Sequence, residues 1–554
     1  MHHAHTNDVI SPHDPILGRR RRAYAYSGWV AAYANETVDV VVIGGGHNGL
    51  VAACYLARAG QSVLLVERHD RLGGMALSAP LIDAAPHHMI NPGAYENVYL
   101  RGGGVVEDLG LRRFGYREVD SVGWAWLGDD GESLLFRADI GRTADDIARF
   151  SKRDAAAYRE LVAVALKAVQ LQGRYASGPP GRPSLGTITA GLRATVCDRT
   201  LRSTLGGLLT GTAADAITST FESPQVRGAF ASIATILGAP TAEGSALALL
   251  GTSSLHGAGA ARPIGGMGGL VLALEKCLTS HGGVARTGLA ASKIRHDGER
   301  ATDVEFSDGT SVAARHAVVT ASPPQRVPDL TGDGLPPGLT ERLRGAPANA
   351  GGVATLTVNL ALSGRLELPS HQPSRDDVDL RKPALFTGSF DQVMKSCEQA
   401  ARGELPTESP WWCTIFTAMD PSQAPAGEDT VQLYSPAPVA ASGGWDQRGD
   451  EAAKLLVDQV AAILPGVHEL EIGRLVETPD DLTRRTTTVN GCLYHVDHLA
   501  TRMGPLRPAL GAAGYRTPLK GLYLTGAGFH PSGGISGLPG KHAATAVIRD
   551  IGRH

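Results

Sequence analysis

The chain has 554 residues, room for two to four domains, and 43% of them are hydrophobic, as in a globular protein. A formal net charge of -3 and an aromatic content of 5% argue against a nucleic-acid partner, which would demand a basic face and a broad stacking surface. Six cysteines, Cys54, Cys197, Cys277, Cys397, Cys413 and Cys492, form no CxxC or CxxxxC pair, so dithiol chemistry and a structural zinc are not expected.

Residues 1–37 read as an N-terminal arm. Arg19 to Arg22 precede an Ala- and Tyr-rich stretch that echoes a charged leader, but tyrosines interrupt its apolar part. A cytoplasmic location is expected, with export the weaker alternative. Val38 to Ile43 is apolar and β-branched apart from Asp39, the pattern of a strand buried on both faces of a parallel sheet. It runs into Gly44-x-Gly46-x-x-Gly49, with His47 and Asn48 between the last two glycines. At this spacing the first glycine permits a tight turn, the second lets backbone approach a pyrophosphate, and the third allows helix and strand to pack closely. Leu50 to Ala59 reads as a helix stopped by Gly60, its N-terminal amides and dipole turned to the phosphates. Ser62 to Val66 reads as a second strand ending in Glu67. That carboxylate is placed to accept from ribose hydroxyls and would repel a 2′-phosphate, which argues against NADP.

The middle block begins near Tyr116, with strand-like segments around Trp124 and Trp126. Apolar residues at Ile147, Phe150, Tyr158, Leu161, Val162 and Val164 predict helix between Asp145 and Gln172, and Gly178-Pro179-Pro180-Gly181 predicts a loop. Residues 244–261 come nearest to a membrane span, but fall short of the roughly 20 apolar residues required and read as a core helix. Peripheral membrane contact stays open as a route for a hydrophobic guest. Pro263 to Gly269 opens a helix through Cys277, and residues 282–322 contain strands with an Asp308-Gly309 hairpin signal, ending in Ala317 to Ser322. Val353 to Leu362 is an apolar strand. Near the C-terminus Leu522-Tyr523-Leu524 enters Gly526-Ala527-Gly528 and then a helix start marked by Gly533, Gly534, Gly537 and Gly540. Such an N-terminus stabilises negative charge placed near it. No second GxGxxG follows a strand, so a separate nicotinamide domain is not expected.

Glu67-Arg68-His69-Asp70-Arg71-Leu72-Gly73-Gly74-Met75 resembles the glutathione-reductase-like and amine-oxidase-like flavoproteins, and Leu522 to Gly528 resembles their second FAD motif. Gly46 to Ala53, Pro263 to Gly268, Gly491 to His495, Arg507-Pro508 and Tyr515 to Lys541 are similar to the phytoene-desaturase-like family. Within it they resemble the branch called pyridine nucleotide-disulfide oxidoreductase domain-containing protein 2. The resemblance implies an α/β fold: a glutathione-reductase-like Rossmann FAD domain, discontinuous in sequence, with an inserted α+β substrate domain. The FAD domain is assigned to 38–115, 263–345 and 481–554, and the substrate domain to 116–262 and 346–480. FAD contacts are implied at Gly44, Gly46, His47, Asn48, Gly49, Glu67, Arg68, Gly73, Gly74, Met75, Gly526, Gly528, Gly534 and Ile535, with Ile294 near the adenine.

The implied activity is an FAD-dependent oxidoreductase, a desaturase or dehydrogenase taking hydride from a hydrophobic or amine-like small molecule. Electrons then pass to oxygen, a quinone or another carrier. An isomerase or saturase of a polyene-like substrate, or a low-turnover flavin-containing interaction protein, is the alternative. His530 matches the histidine of the family's threonine-histidine-proline pattern and is the leading side chain beside the flavin; a purely structural role is the competing reading. His495 matches a second family position. His87 and His88 follow the glycine pair and read as either substrate-side or surface-loop residues. No metal site is read from the spacing of ligand residues, and the oligomeric state is not legible.

Overall fold

The computed structural model describes residues 37–553 except 130, 177, 179–184, 198–205, 208 and 258; residues 1–36 of the expected arm and most of the Gly178–Gly181 loop lie outside them. Two seven-stranded sheets organise the chain. In the first, Thr37–Ile43 lies parallel between Val63–Val66 and Ser311–Thr320, with Val284–Arg286 beyond the former. The C-terminal half of Ser311–Thr320 pairs in parallel with Leu522–Leu524, and its N-terminal half pairs antiparallel with Ala301–Phe306, which continues to Ala291–His296. Val40, Val41 and Val42 have no solvent exposure, as a strand covered on both faces requires.

The helix His47–Arg58 starts directly after Gly46, a turn earlier than the apolar run suggests. It packs against the helices Gly268–Ser280 and Leu538–Ile551, so the beginning, middle and end of the described chain share one core. Gly540 makes the last contact possible: a Cβ there would lie 2.2 Å from the Asn48 carbonyl oxygen.

The second sheet runs in the order Glu471–Glu477, Val353–Leu362, Asp429–Pro438, Trp412–Ile415, Ala384–Phe386, Trp124–Leu127, Ser133–Phe136. Its two faces follow the strand period of two. Trp124 and Trp126 face the helices Lys152–Ala176, Pro224–Ala234 and Phe390–Ala401, whereas Ala125 and Leu127 face the helix Trp445–Ala461. A short ribbon of Glu118–Asp120 with Ala261–Pro263 joins the halves.

Two expected helices are corrected. The one expected between Asp145 and Gln172 is two helices, Ile140–Ala148 and Lys152–Ala176, because the Ser151 hydroxyl accepts from the Asp154 amide at 3.1 Å and starts a new helix. The one expected at 244–261 is a 3-10 turn, Ser245–Leu250, a single helical turn, Ser253–His256, and the strand Ala261–Pro263. Gly244 and Gly259, at φ 82° and 75°, bracket this segment with left-handed backbone that no continuous helix accommodates.

Candidate functional site

Four parallel strands end side by side, and the segments leaving them are tied together. Gly44 donates its amide to Val66, Ala321 to Ile43 and Thr525 to Thr320, each at 2.8 Å. Read across the sheet, the carboxyl ends therefore present Glu67, Gly44–Gly46, Ala321–Ser322 and Thr525–Ala527 in that order. With strands about 4.8 Å apart, this row extends about 14 Å. It borders one cavity of about 620 Å³ that continues to the face of the second sheet.

At the Glu67 end, the carboxylate is 9% exposed and accepts from the Gly45 amide at 2.7 Å and the His69 amide at 3.0 Å. Leu289 to Ser292 line the cavity here; Ile294 does not, being wholly buried with Val304 beneath the sheet. In the centre, Gly46 caps the helix His47–Arg58 without any side-chain hydrogen bond. The amides of the first turn lack intrahelical acceptors and so point at the cavity floor. Gly49 permits this turn, because a Cβ there would sit 2.0 Å from the Gly44 oxygen. Gly73 donates to the Gly45 carbonyl at 3.0 Å and sets the Gly74–Met75 wall.

Arg485 holds that wall from the other half of the molecule. Its Nη1 donates to the Gly74 carbonyl at 2.9 Å while its remaining guanidinium nitrogens pair with Glu477. Arg68, also in the wall, donates to the Arg485 carbonyl at 3.1 Å. Nothing in the local sequence marks Arg485; only the tertiary fold brings it to the glycine pair.

Beyond the row, Gly526, Ala527, Gly534, Ile535, Tyr494 and His495 close the cavity. His495 is held in left-handed backbone, φ 63°, and its carbonyl accepts from Gln325 at 2.8 Å. Burial pulls its imidazole down to about 3, with Arg507 and His47 adding to the effect; burial also pulls His47 down to about 4. Both rings are thus neutral at neutral pH.

His530 stands elsewhere. It is 1% exposed but does not border the cavity; its ring meets Tyr175 edge-on at 5.1 Å and its carbonyl accepts from the Tyr515 hydroxyl at 3.0 Å. Gly528 is likewise a packing position, where a Cβ would lie 2.4 Å from Pro324. His88 is buried against Glu428 at 3.2 Å and His87 is exposed; neither borders the cavity.

The far half of the cavity is aromatic and aliphatic: Trp124, Trp412, Tyr95, Tyr434, Ile233 and Leu237. Trp124 and Trp412 meet edge-on at 6.1 Å. The one carboxylate among these described walls, Glu96, accepts from the Trp124 indole at 2.9 Å and pairs with Arg262 at 3.4 Å. Gln432 is spent on the carbonyls of Asn91 and Gly93 at 2.6 and 3.1 Å.

The central walls carry buried polar atoms with no protein partner: His47 Nε2, Asn48 Oδ1 and His495 Nδ1. Such atoms are costly unless something else satisfies them. Together with the helix N-terminus and Glu67 they fit FAD, whose diphosphate needs donors and whose ribose needs an acceptor.

Comparisons with known proteins agree. Residues 210–548 match the family model described as flavin containing amine oxidoreductase, and 42–99 match one described as NAD(P)-binding Rossmann-like domain. The chain is 28% identical to pyridine nucleotide-disulfide oxidoreductase domain-containing protein 2 of Rattus norvegicus, over 93% of this chain and 94% of that protein. It is 26% identical to hydroxyneurosporene desaturase of Cereibacter sphaeroides, over 92% of this chain and 98% of that protein. An oxidoreductase from Methanosarcina mazei shares the fold, with a TM-score of 0.58 at 16% identity, covering 92% of this chain and 99% of that one.

Proposed function

From the premise that this chain belongs to the flavin-containing amine oxidoreductase family and is an FAD-dependent enzyme, we propose that it is a desaturase or dehydrogenase of an uncharged, hydrophobic small molecule. When bound, FAD supplies the hydride acceptor. With it bound, the substrate would lose a hydride to it from one carbon and a proton to solvent from the neighbouring carbon, leaving a double bond, and the two electrons would pass on to oxygen, a quinone or another carrier.

The observation that carries the substrate class is the electrostatic state of the far half. That half offers an ammonium no free carboxylate, because Glu96 is already neutralised by Arg262 and hydrogen-bonded by Trp124. The walls around it are mostly aromatic or aliphatic, with the uncharged side chains of Ser254, Thr357, Thr414 and Gln432 among them, and His495 is a neutral imidazole. These walls shield an apolar guest from water and hold it by burial. The similarity to a hydroxyneurosporene desaturase points the same way.

In this reading 38–115, 263–345 and 481–554 hold the cofactor, and 116–262 and 346–480 hold the guest. His495, which borders the cavity, takes the place beside the reacting groups that the motif suggested for His530. Peripheral contact with a lipid surface would supply a water-insoluble substrate, and exposed Leu185, Leu506 and Leu510 offer apolar surface for it. Among the described residues no helix is long and apolar enough to cross a membrane.

The test is anaerobic. Holoenzyme is mixed with panels of polyenes, terpenoid alkenes and alkylamines while flavin absorbance is followed, with peroxide measured on readmitting air. Bleaching by neutral apolar compounds is expected; bleaching confined to amines overturns the assignment.

A further inference from the structure

Behind the cavity wall lies a cation without a counter-ion. Arg507 is wholly buried, the largest of the fully buried side chains among the described residues. Its nitrogens donate to four carbonyl oxygens: Asp497 at 3.1 Å, Tyr494 at 2.8 Å, Val496 at 3.2 Å and Ala527 at 2.8 Å. Nε has no partner. No carboxylate among the described residues forms an ion pair with it, whereas the other largely buried arginines here, Arg262, Arg375, Arg381 and Arg485, each have one. A buried charge normally carries a partner, because desolvation costs several kcal/mol.

Among the described residues the surroundings offer it no ion pair. The ionisable groups that feel Arg507 are Cys492, Tyr494, His495, Asp497, His498 and His530. Burial pulls the guanidinium down only to about 10, so it stays a cation at neutral pH. Burial pushes the Cys492 thiol up to about 12, and the Tyr494 phenol upward too, so both stay neutral. The three imidazoles are pulled down by burial and stay neutral. Asp497 is the one acid among these groups whose charge reaches Arg507: burial raises its carboxyl, the Ala350 amide donates to it at 3.4 Å, and Arg507 attracts it through space without forming an ion pair.

Two of the four carbonyls that hold Arg507 belong to Tyr494 and Ala527, whose other sides line the cavity at the end of the row opposite Glu67. With ribose at Glu67 and diphosphate at Gly46, this is the end where the dinucleotide's redox ring lies. We propose that Arg507 is a positioning residue for the redox couple: its positive charge, held by carbonyls without an ion pair one backbone layer behind the cavity wall, would be matched to the negative charge a bound ring gains on accepting hydride. That extra attraction would be present only in the reduced state, and the difference favours reduction. Arg507 itself forms no covalent bond: a substrate C–H bond would break and its hydride, two electrons and one proton, would form a bond to the ring, which would carry one net negative charge as long as no second proton is added.

The inference rests on FAD binding and not on the substrate, so it is tested with redox dyes and sulfite on holoenzyme. Arg507→Gln and Arg507→Lys both lose carbonyl contacts, but only the first loses the charge. Arg507→Gln is expected to lower the preference for the reduced ring at least tenfold, about 30 mV for a two-electron couple, and to weaken the sulfite adduct by a similar factor. Arg507→Lys is expected to stay within about threefold of wild type while melting as early as Arg507→Gln. Equal potentials in both variants, changed or unchanged, overturn the proposal. If neither variant retains FAD, the wild-type potential decides: one proton per two electrons gives about 30 mV per pH unit at neutral pH, and a slope of about 60 mV overturns it.

Discussion

Replacing Arg485 by Met separates what the Arg485–Glu477 pair does for the fold from what it does for the cofactor. The two side chains are 10% and 6% exposed, so removal of the guanidinium strands a buried carboxylate. Breaking such a pair costs about 3–5 kcal/mol of folding stability. The same change removes the charged hydrogen bond to the Gly74 carbonyl, which fixes the cavity wall beside the helix N-terminus. Bonds of that kind are worth about 1.5–3 kcal/mol, and if half of that is expressed as wall order, FAD affinity falls about threefold to tenfold. The assay is quenching of free FAD fluorescence by apoprotein, run beside denaturant unfolding. A second variant, Arg485→Met with Glu477→Leu, removes the stranded charge and is expected to recover most of the stability but none of the affinity. Wild-type FAD affinity in the single variant, or recovery of affinity along with stability in the double variant, refutes the reasoning.

Gly49→Ala places a Cβ 2.0 Å from the Gly44 oxygen, so the purified variant is expected to be colourless and to release no FAD on denaturation. His530→Ala is expected to leave the rate of flavin reduction within about threefold of wild type while costing about 1–3 kcal/mol through the lost packing on Tyr175; a large fall in rate without loss of stability would restore His530 to the site. Acid stability follows from His47 and His495, held at about 4 and about 3 against an ordinary value of about 6.5. Below that ordinary value the unfolded chain binds protons that the folded one refuses, so their contribution is present above about pH 6.5 and is lost as pH falls through about 4 and about 3. Melting temperatures of His47→Asn with His495→Asn should fall less steeply from pH 7 to pH 4 than wild type, and parallel curves would contradict the assignment.

What was legible in the sequence is what short-range physics writes there. The βαβ unit from Thr37 to Val66, the strand Val353–Leu362 and the turn at Asp308-Gly309 each follow from a few neighbouring residues. Family resemblance added the flavin and the C-terminal motif, and the match over 210–548 agrees with it. The substrate half was not legible, because its wall is assembled from Tyr95, Trp124, Ile233, Trp412 and Tyr434, which only sheet pairing brings together. Arg485 was invisible as a wall residue for the same reason, and Arg507 was legible only as part of a family resemblance. Of the two histidine candidates, His495 borders the cavity and His530 packs on Tyr175, a difference of side-chain direction that the sequence does not write. Ser151 shows the complementary limit, where a single hydroxyl overrides a long apolar period.

The pairing of Leu522–Leu524 with the inner half of Ser311–Thr320 has a consequence for how the protein is made. The Glu67 side of the cradle is synthesised early and its Ala527 side hundreds of codons later, although the two lie in one sheet. During translation the first βαβ unit can collapse on its own, but it faces an open flank until the last of these strands arrives. Retention of the cofactor therefore reports on completed synthesis, and a chain stalled before Leu522 would leave the ribosome as an apo-intermediate with an unpaired strand edge, a substrate for chaperones and proteases.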